Sequence, residues 1–312
     1  MAPFFGYHMP LYRSSSAGSD GLFDRVTIQA EAAEAAGFDL VTVMDHFYQI
    51  TGVGPETEPM LEAYTTLGAL AARTSRVLLG TLVTGVTYRN PALLAKQVTT
   101  LDVISGGRAL LGIGAAWNED EHKGYGFEFP PIGRRMDRLE EALKIAKLMF
   151  SEERPSFKGS FYTIDRALNS PRPVQPGGPR ILVGGGGEKR TLRIAARYAD
   201  ITHWFASSLD DLKRKNEILE RYCDEEGRDA GTIMRTIGAP VLLVATEAEG
   251  KAMIDRLPPE RRGMFKAATV EGAAETLREY MDAGFTGFTF NNPTLSAPEQ
   301  IARAGELKKL LS

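Results

Sequence analysis

Short apolar runs alternate along this chain with longer stretches in which apolar residues recur every three or four positions. The short runs are β-rich and bounded by Gly, Asp or Asn. They predict strands at Phe4–Tyr7, Leu40–Met44, Val77–Val83, Ala109–Ile113, Ile181–Val183, Ile201–Trp204, Val241–Val244 and Gly287–Phe290. Helices fill the intervals. After Asp20, the residues Phe23, Val26, Ala30 and Ala33 keep one face and Gly37 stops the helix. Met136, Leu139, Leu143, Ala146 and Phe150 repeat that stripe, as do Val270, Ala274, Leu277 and Met281. Ser208, with Asp211 three residues on, opens a further helix that Gly227 closes. Eight strands alternating with helices predict an α/β fold, a (β/α)8 TIM barrel, spanning residues 1–312 as a single domain. The competing arrangement is an open doubly wound sheet. The stretch "SEERPSFKGSFYTIDRALNSPRPVQPGGP" breaks the rhythm and predicts a surface insertion between the fourth helix and the fifth strand.

Composition narrows the classes of partner. The chain has 312 residues, is 43% hydrophobic and carries a net charge of −3, with its Lys and Arg scattered. No field favours nucleic acid, no uncharged run is long enough for a bilayer, and the N-terminus lacks a secretory pattern. The single cysteine, Cys223, fits a reducing compartment. A cytoplasmic enzyme acting on a small molecule is expected, with neither nucleic acid nor membrane as partner.

Candidate chemistry gathers where the strands end, since barrel enzymes work at the C-terminal rim. His8 follows the first predicted strand, His46 the second and His122 the fourth, and His203 lies in the sixth. All four are expected at one rim; a hydrogen-bonded structural imidazole is the plainer reading of each. Asp45 adjoins His46 and is expected to hold its tautomer, or else to cap the following loop. Gly112 and Gly114 leave the fourth strand bare, and Trp117 offers a flat surface near the mouth; packing glycines and a core tryptophan are the alternative. The run "RILVGGGGEKRTL" puts Gly184, Gly185, Gly186 and Gly187 before a helix. Free amides there suit a phosphate, with Lys189 or Arg190 adding charge. Neither a Walker loop nor the Rossmann spacing is present.

The segments "VTVMDHF", "LGTLVTGVTYRNPALLAKQVTTLDVISGGRALLGIGAAWNEDE" and "ILVGGGGEKRTLRIAARYAD" resemble the bacterial luciferase-like family of flavin and deazaflavin oxidoreductases, over nearly the whole chain. The resemblance implies coenzyme F420 as hydride carrier, with FMN as the alternative cofactor of a monooxygenase, and a homodimer. It implies His46 as proton shuttle with Asp45 beside it, and a non-prolyl cis peptide at Leu82–Val83 against the cofactor ring. Thr84, Trp117, Asn118, Gly184 to Gly187, Lys189 and His203 join Asp45, Leu82 and Val83 in lining the cofactor. In the deazaflavin sugar-phosphate dehydrogenases a glutamate acid follows the fourth strand; Trp117 takes its place here, with Glu119 and Glu121 near. That departure argues against sugar-phosphate oxidation and leaves reductases of activated double bonds or other electron-poor acceptors. A metal-dependent hydrolase built on His8, Asp45, His46 and His203 is the reading from another class, and the first strand lacks the His-x-His pair that would mark it.

Overall fold

Alternation along each strand sends one set of side chains to the surrounding helices and the other into a closed ring. The structure, a computed structural model, describes residues 2–9, 12, 21–51, 53–256, 262–263, 266–291 and 295–312. Among the described residues the ring has eight strands: β1 (Phe4–Met9), β2 (Leu40–Val43), β3 (Leu78–Thr81), β4 (Ala109–Gly114), β5 (Arg180–Gly184), β6 (Ile201–Trp204), β7 (Met234–Gly238) and β8 (Gly287–Phe290). Neighbours in this order pair in parallel, and β8 returns to β1 through Phe4 opposite Gly287, closing the barrel. The returning helices are α1 (Leu22–Ala35), α2 (Ala63–Ala71), α3 (Pro91–Ser105), α4 (Ile132–Ser151), α5 (Thr191–Tyr198), α6 (Leu209–Glu225), α7 (Val270–Asp282) and α8 (Pro298–Leu311).

Local chemistry sets several of these boundaries. The Asn90 side chain accepts from the Ala92 amide and Pro91 opens α3, while Gly106, at φ 67°, closes it. Ser208 accepts from the Asp211 amide at the start of α6. On α4 the stripe Met136, Leu139, Leu143, Ala146 and Phe150 is buried, each larger side chain contributing about 1.5–3 kcal/mol of hydrophobic stabilisation. On α1 the buried face is Val26, Ala30 and Ala33; Phe23 points outward, and Asp20 lies outside the described residues.

One strand differs from expectation. The run Val241–Leu243 does not enter the barrel; it pairs in parallel with Lys266–Ala268, flanked by the helix Glu247–Arg256. The seventh stave is Met234–Gly238, hydrogen-bonded to β6 and β8. The segment between α4 and β5 is an insertion, with Phe157–Lys158 antiparallel to Thr163–Ile164.

The barrel interior is graded. Leu40, Leu110, Leu182 and Ile201 form its buried lower layer, with Phe4, Leu78 and Met234 packed on them. Two residues further along the strands the same inward face carries Thr42 and His203, and Thr236 follows Met234 on β7. Apolar side chains thus give way to hydrogen-bonding ones toward the C-terminal rim.

Candidate active site at the C-terminal rim

The chain leaves β2 at Met44, and the next two residues diverge as the pleat requires. Asp45 turns to Arg89, which grips both its oxygens at 2.7 and 3.0 Å and also reaches Glu62 at 2.6 Å. His46 turns to Glu121, whose Oε2 lies 2.7 Å from Nδ1. Asp45 therefore does not orient His46; that partner comes from the short helix Glu119–Tyr125 after β4. Glu121 is fully buried and also accepts from the amides of Phe47 (2.5 Å) and Tyr48 (3.0 Å) and from the Tyr88 hydroxyl (2.9 Å). Burial would raise its carboxyl, but His46 and the two amides hold it below the usual carboxylate range. Burial pushes the Asp45 carboxyl up while Arg89 pulls against it, and Asp45 in turn holds the guanidinium charged.

Trp117 stands beside His46, ring centres 5.4 Å apart, and is 59% exposed, so it is a wall of the mouth; the buried core tryptophan is Trp204. Asn118 caps the short helix through the Glu121 amide, and its carbonyl meets Nδ1 of His122 at 2.6 Å. His122 is wholly buried, its other nitrogen on Thr87, so it packs under the site and does not reach the mouth. Glu119 is exposed and paired with Lys123.

Between β3 and β4 lies the bulge. The Leu82–Val83 peptide is cis, as the resemblance implies. Thr84 is fully buried, hydrogen-bonded to Tyr64 (2.8 Å) and Thr81 (2.9 Å), beneath the surface that a ring would touch. Side-chain atoms at Gly114 or Gly184 would fall 2.9 and 2.8 Å from Val83, and one at Gly112 would fall 1.9 Å from the Thr81 carbonyl. These three glycines make room for the bulge.

The first of the four consecutive glycines thus serves packing. Gly185, at φ 109°, adopts a backbone that other residues rarely take. Beyond it, the amides of Gly186, Gly187, Glu188 and Lys189 donate to no protein acceptor among the described residues. Lys189 itself is exposed, and Arg190 is drawn away to Asp137. The ammonium of Lys215 on α6 lies against Gly186, held by Asp211 at 2.6 Å. Unpaired amides, a facing cation and a bare backbone fit a phosphate-bearing cofactor.

His8 and His203 share the interior of the mouth, each with Nδ1 on a threonine: Thr42 at 2.9 Å and Thr236 at 3.0 Å. Burial, reinforced by His203 and His46, pulls His8 down to about 3, and burial pulls His203 to about 4. Both are neutral at physiological pH. No three His, Cys, Asp or Glu side chains among the described residues converge as metal ligands do, so the grouping that the hydrolase reading needs is not formed. A groove of about 940 Å³, lined by Phe4, Arg180, Met234 and Thr286, opens at the opposite end of the barrel, away from these groups. Arg89, Glu121 and the two threonines were not singled out by sequence reasoning as partners; their signal is spatial, since they lie 33 to 75 residues from the groups they hold.

Comparison with known proteins gives a consistent placement. The family model for luciferase-like monooxygenases matches residues 5–303. A protein of Kineococcus radiotolerans described as F420-dependent glucose-6-phosphate dehydrogenase is 33% identical, covering 85% of this chain and 86% of its own. A counterpart in Amycolatopsis mediterranei is 29% identical, covering 85% and 87%. Two solved structures share the fold. One is an F420-dependent secondary alcohol dehydrogenase with an F420–acetone adduct (TM-score 0.79, 21% identity, 98% of each chain). The other is EDTA monooxygenase from Chelativorans sp. BNC1 (TM-score 0.84, 16% identity, 100% of this chain and 93% of that one). With a bulged β3, a glycine-rich turn after β5 and a match across nearly its full length, this chain belongs to the luciferase-like monooxygenase family.

Proposed function

We propose that the protein is a coenzyme F420-dependent oxidoreductase that transfers a hydride between the deazaflavin and a small organic substrate, with His46 handling the substrate's proton. The observation that carries this reading is an imidazole held at the barrel mouth by a buried carboxylate, beside an exposed tryptophan. The F420-dependent relatives support the choice of cofactor.

The bound deazaflavin supplies two-electron chemistry. The chain's own residues do the rest. The amides of Gly186 to Lys189, with Lys215, would hold its phosphate, and Leu82, Val83, Trp117 and His203 would line its ring site; Thr84 and Asn118 hold the bulge and the short helix in place. In oxidation, His46 would take the proton of the substrate's hydroxyl. In reduction, His46 would return that proton. General acid–base help of this kind contributes on the order of 10²–10⁴-fold.

Neighbouring groups shape the substrate class. The resemblance puts Trp117 where the sugar-phosphate dehydrogenases carry their acid glutamate; Glu119 faces solvent, and Glu121 is engaged with four donors. Two neutral imidazoles and an aromatic wall favour an uncharged, electron-poor carbonyl or activated double bond over a phosphorylated sugar. A cytoplasmic location accords with the lone, buried Cys223. A homodimer accords with the exposed Ile28, Leu93, Val103 and Ile104 on α1 and α3, and light scattering on the purified protein reads its mass.

Titrating apo-protein with F420 and with FMN by fluorescence tests the cofactor. F420 is expected to bind more tightly; FMN binding ten times tighter than F420 overturns the reading.

A further inference from the structure

We propose that Glu121 sets the tautomer of His46, placing the ring proton on Nδ1 and leaving Nε2 as the acceptor that faces the mouth. The inference rests on the reading of His46 as the proton-handling residue. Glu121 is a positioning residue: it acts through the imidazole and is buried beneath it.

The donor count carries the case. Oε1 of Glu121 accepts the Phe47 and Tyr48 amides, and Oε2 accepts the Tyr88 hydroxyl. Backbone amides can only donate. A carboxyl so surrounded is ionised, and it has no proton to offer the nitrogen 2.7 Å away. That nitrogen must donate. In a neutral imidazole the other nitrogen is then a bare lone pair.

The other two mouth histidines meet hydroxyls, not a carboxylate. His203 meets the Thr236 hydroxyl, whose own proton goes to the Thr202 carbonyl, so the Nδ1 of His203 donates as well; His8 meets the Thr42 hydroxyl, whose proton has only a long 3.5 Å contact to the Tyr7 carbonyl. Of the three imidazoles there, His46 is the one whose Nδ1 is bonded to a carboxylate. Tyr88 and the two amides lock Glu121, so the preference is built into the loop after β2 before any ligand arrives.

Glu121→Gln tests this with little change in shape. The carboxamide oxygen keeps the Phe47 and Tyr48 amides, which turns its NH₂ toward His46. Facing a donor, Nδ1 must accept, and the proton moves to Nε2. With four histidines in the chain, nitrogen-15 spectra compared with those of His46→Ala identify the His46 signals. The wild-type protein should show a protonated Nδ1 and Glu121→Gln a protonated Nε2. Turnover should fall at least 100-fold, while F420 affinity, read by fluorescence, stays within about threefold. A wild-type spectrum with the proton on Nε2 overturns the inference even where the variant fails to fold. So does a variant with the reversed tautomer and wild-type turnover. Full activity in His46→Ala would instead overturn the reading of His46 itself, whatever the spectra show.

Discussion

Replacing Arg89 with methionine would strip Asp45 of the counter-charge that its buried position demands. Asp45 is 2% exposed, and Arg89 holds both of its oxygens. Methionine fills much of the same space against the Tyr64 ring, over which the guanidinium now sits at 4.8 Å, and brings no charge. Removing one partner of a buried pair costs about 3–5 kcal/mol, because the remaining ion is left unpaired in a low-dielectric site. Burial already pushes the Asp45 carboxyl up, and Arg89 is the main force opposing it. Without Arg89 the carboxyl rises further, so the native state binds a proton that the unfolded chain, titrating near 4, has released. Stability therefore declines as pH climbs from about 4 to the raised folded value. The variant's deficit is largest at pH 7–8 and smaller at pH 5. At about 2–4 °C per kcal/mol, the fall in Tm at pH 7 comes to about 10 °C. Urea unfolding at pH 5, 6, 7 and 8 on both proteins measures it. Asp45→Asn added to Arg89→Met should restore most of the loss, since no ion then remains. A deficit below about 1 kcal/mol, or one that is flat from pH 5 to 8, would refute the assignment of Arg89 as the counter-ion of Asp45.

Three further outcomes are expected. Gly112→Ala drives a methyl into the Thr81 carbonyl, which cannot step aside; about 1–3 kcal/mol of stability should be lost and F420 affinity weakened as Val83 shifts, with a wild-type Tm as the contrary result. Gly185→Ala forces a side chain into φ 109°, expected to cost about 1–3 kcal/mol by urea titration, and an unchanged midpoint would show that the turn relaxes freely. Folded values near 3 for His8 and 4 for His203 lie below the unfolded value of about 6.5. Their stabilisation is complete above that pH and is lost as pH falls toward 4, by up to about 1.4 kcal/mol per pH unit for each histidine. His8→Gln should flatten that acid limb, and an identical limb would remove His8 as a cause.

Most of the barrel is legible in the sequence because most of its strands are apolar enough to announce themselves. Ile201–Trp204 and Gly287–Phe290 fall where the pattern puts them. The seventh strand is the exception, and its composition explains why. In "MRTIG", Arg235 reaches out to Glu220, and the Thr236 hydroxyl contacts His203 and donates to the Thr202 carbonyl inside the ring. Hydrogen-bonding duty at the polar end of the barrel dilutes the strand's apolar signal. Meanwhile "VLLV", four apolar residues in a row, forms an outer pair with Lys266–Ala268. The site shows the same division. That histidines stand at strand ends follows from counting along the chain. Which carboxylate serves which base does not: adjacency suggests Asp45 for His46, but successive residues diverge, and Glu121 arrives from 75 positions away.

The apolar lower layer of the barrel has a consequence for proton traffic. Leu40, Leu110, Leu182 and Ile201, backed by Phe4, Leu78 and Met234, offer no exchangeable hydrogen, and no acceptor stronger than the Met234 thioether, from their side chains. A proton hopping between hydrogen-bonding groups has nowhere to stand among them. The vestibule that holds His8, His46 and His203 is therefore closed on its lower side among the described residues. On the function proposed above, a proton taken by His46 once substrate and cofactor fill the mouth has no route downward through this layer. When the ternary complex is formed in deuterated water and then diluted into ordinary water for a single turnover, the label should stay with the enzyme–product complex and wash out only on release.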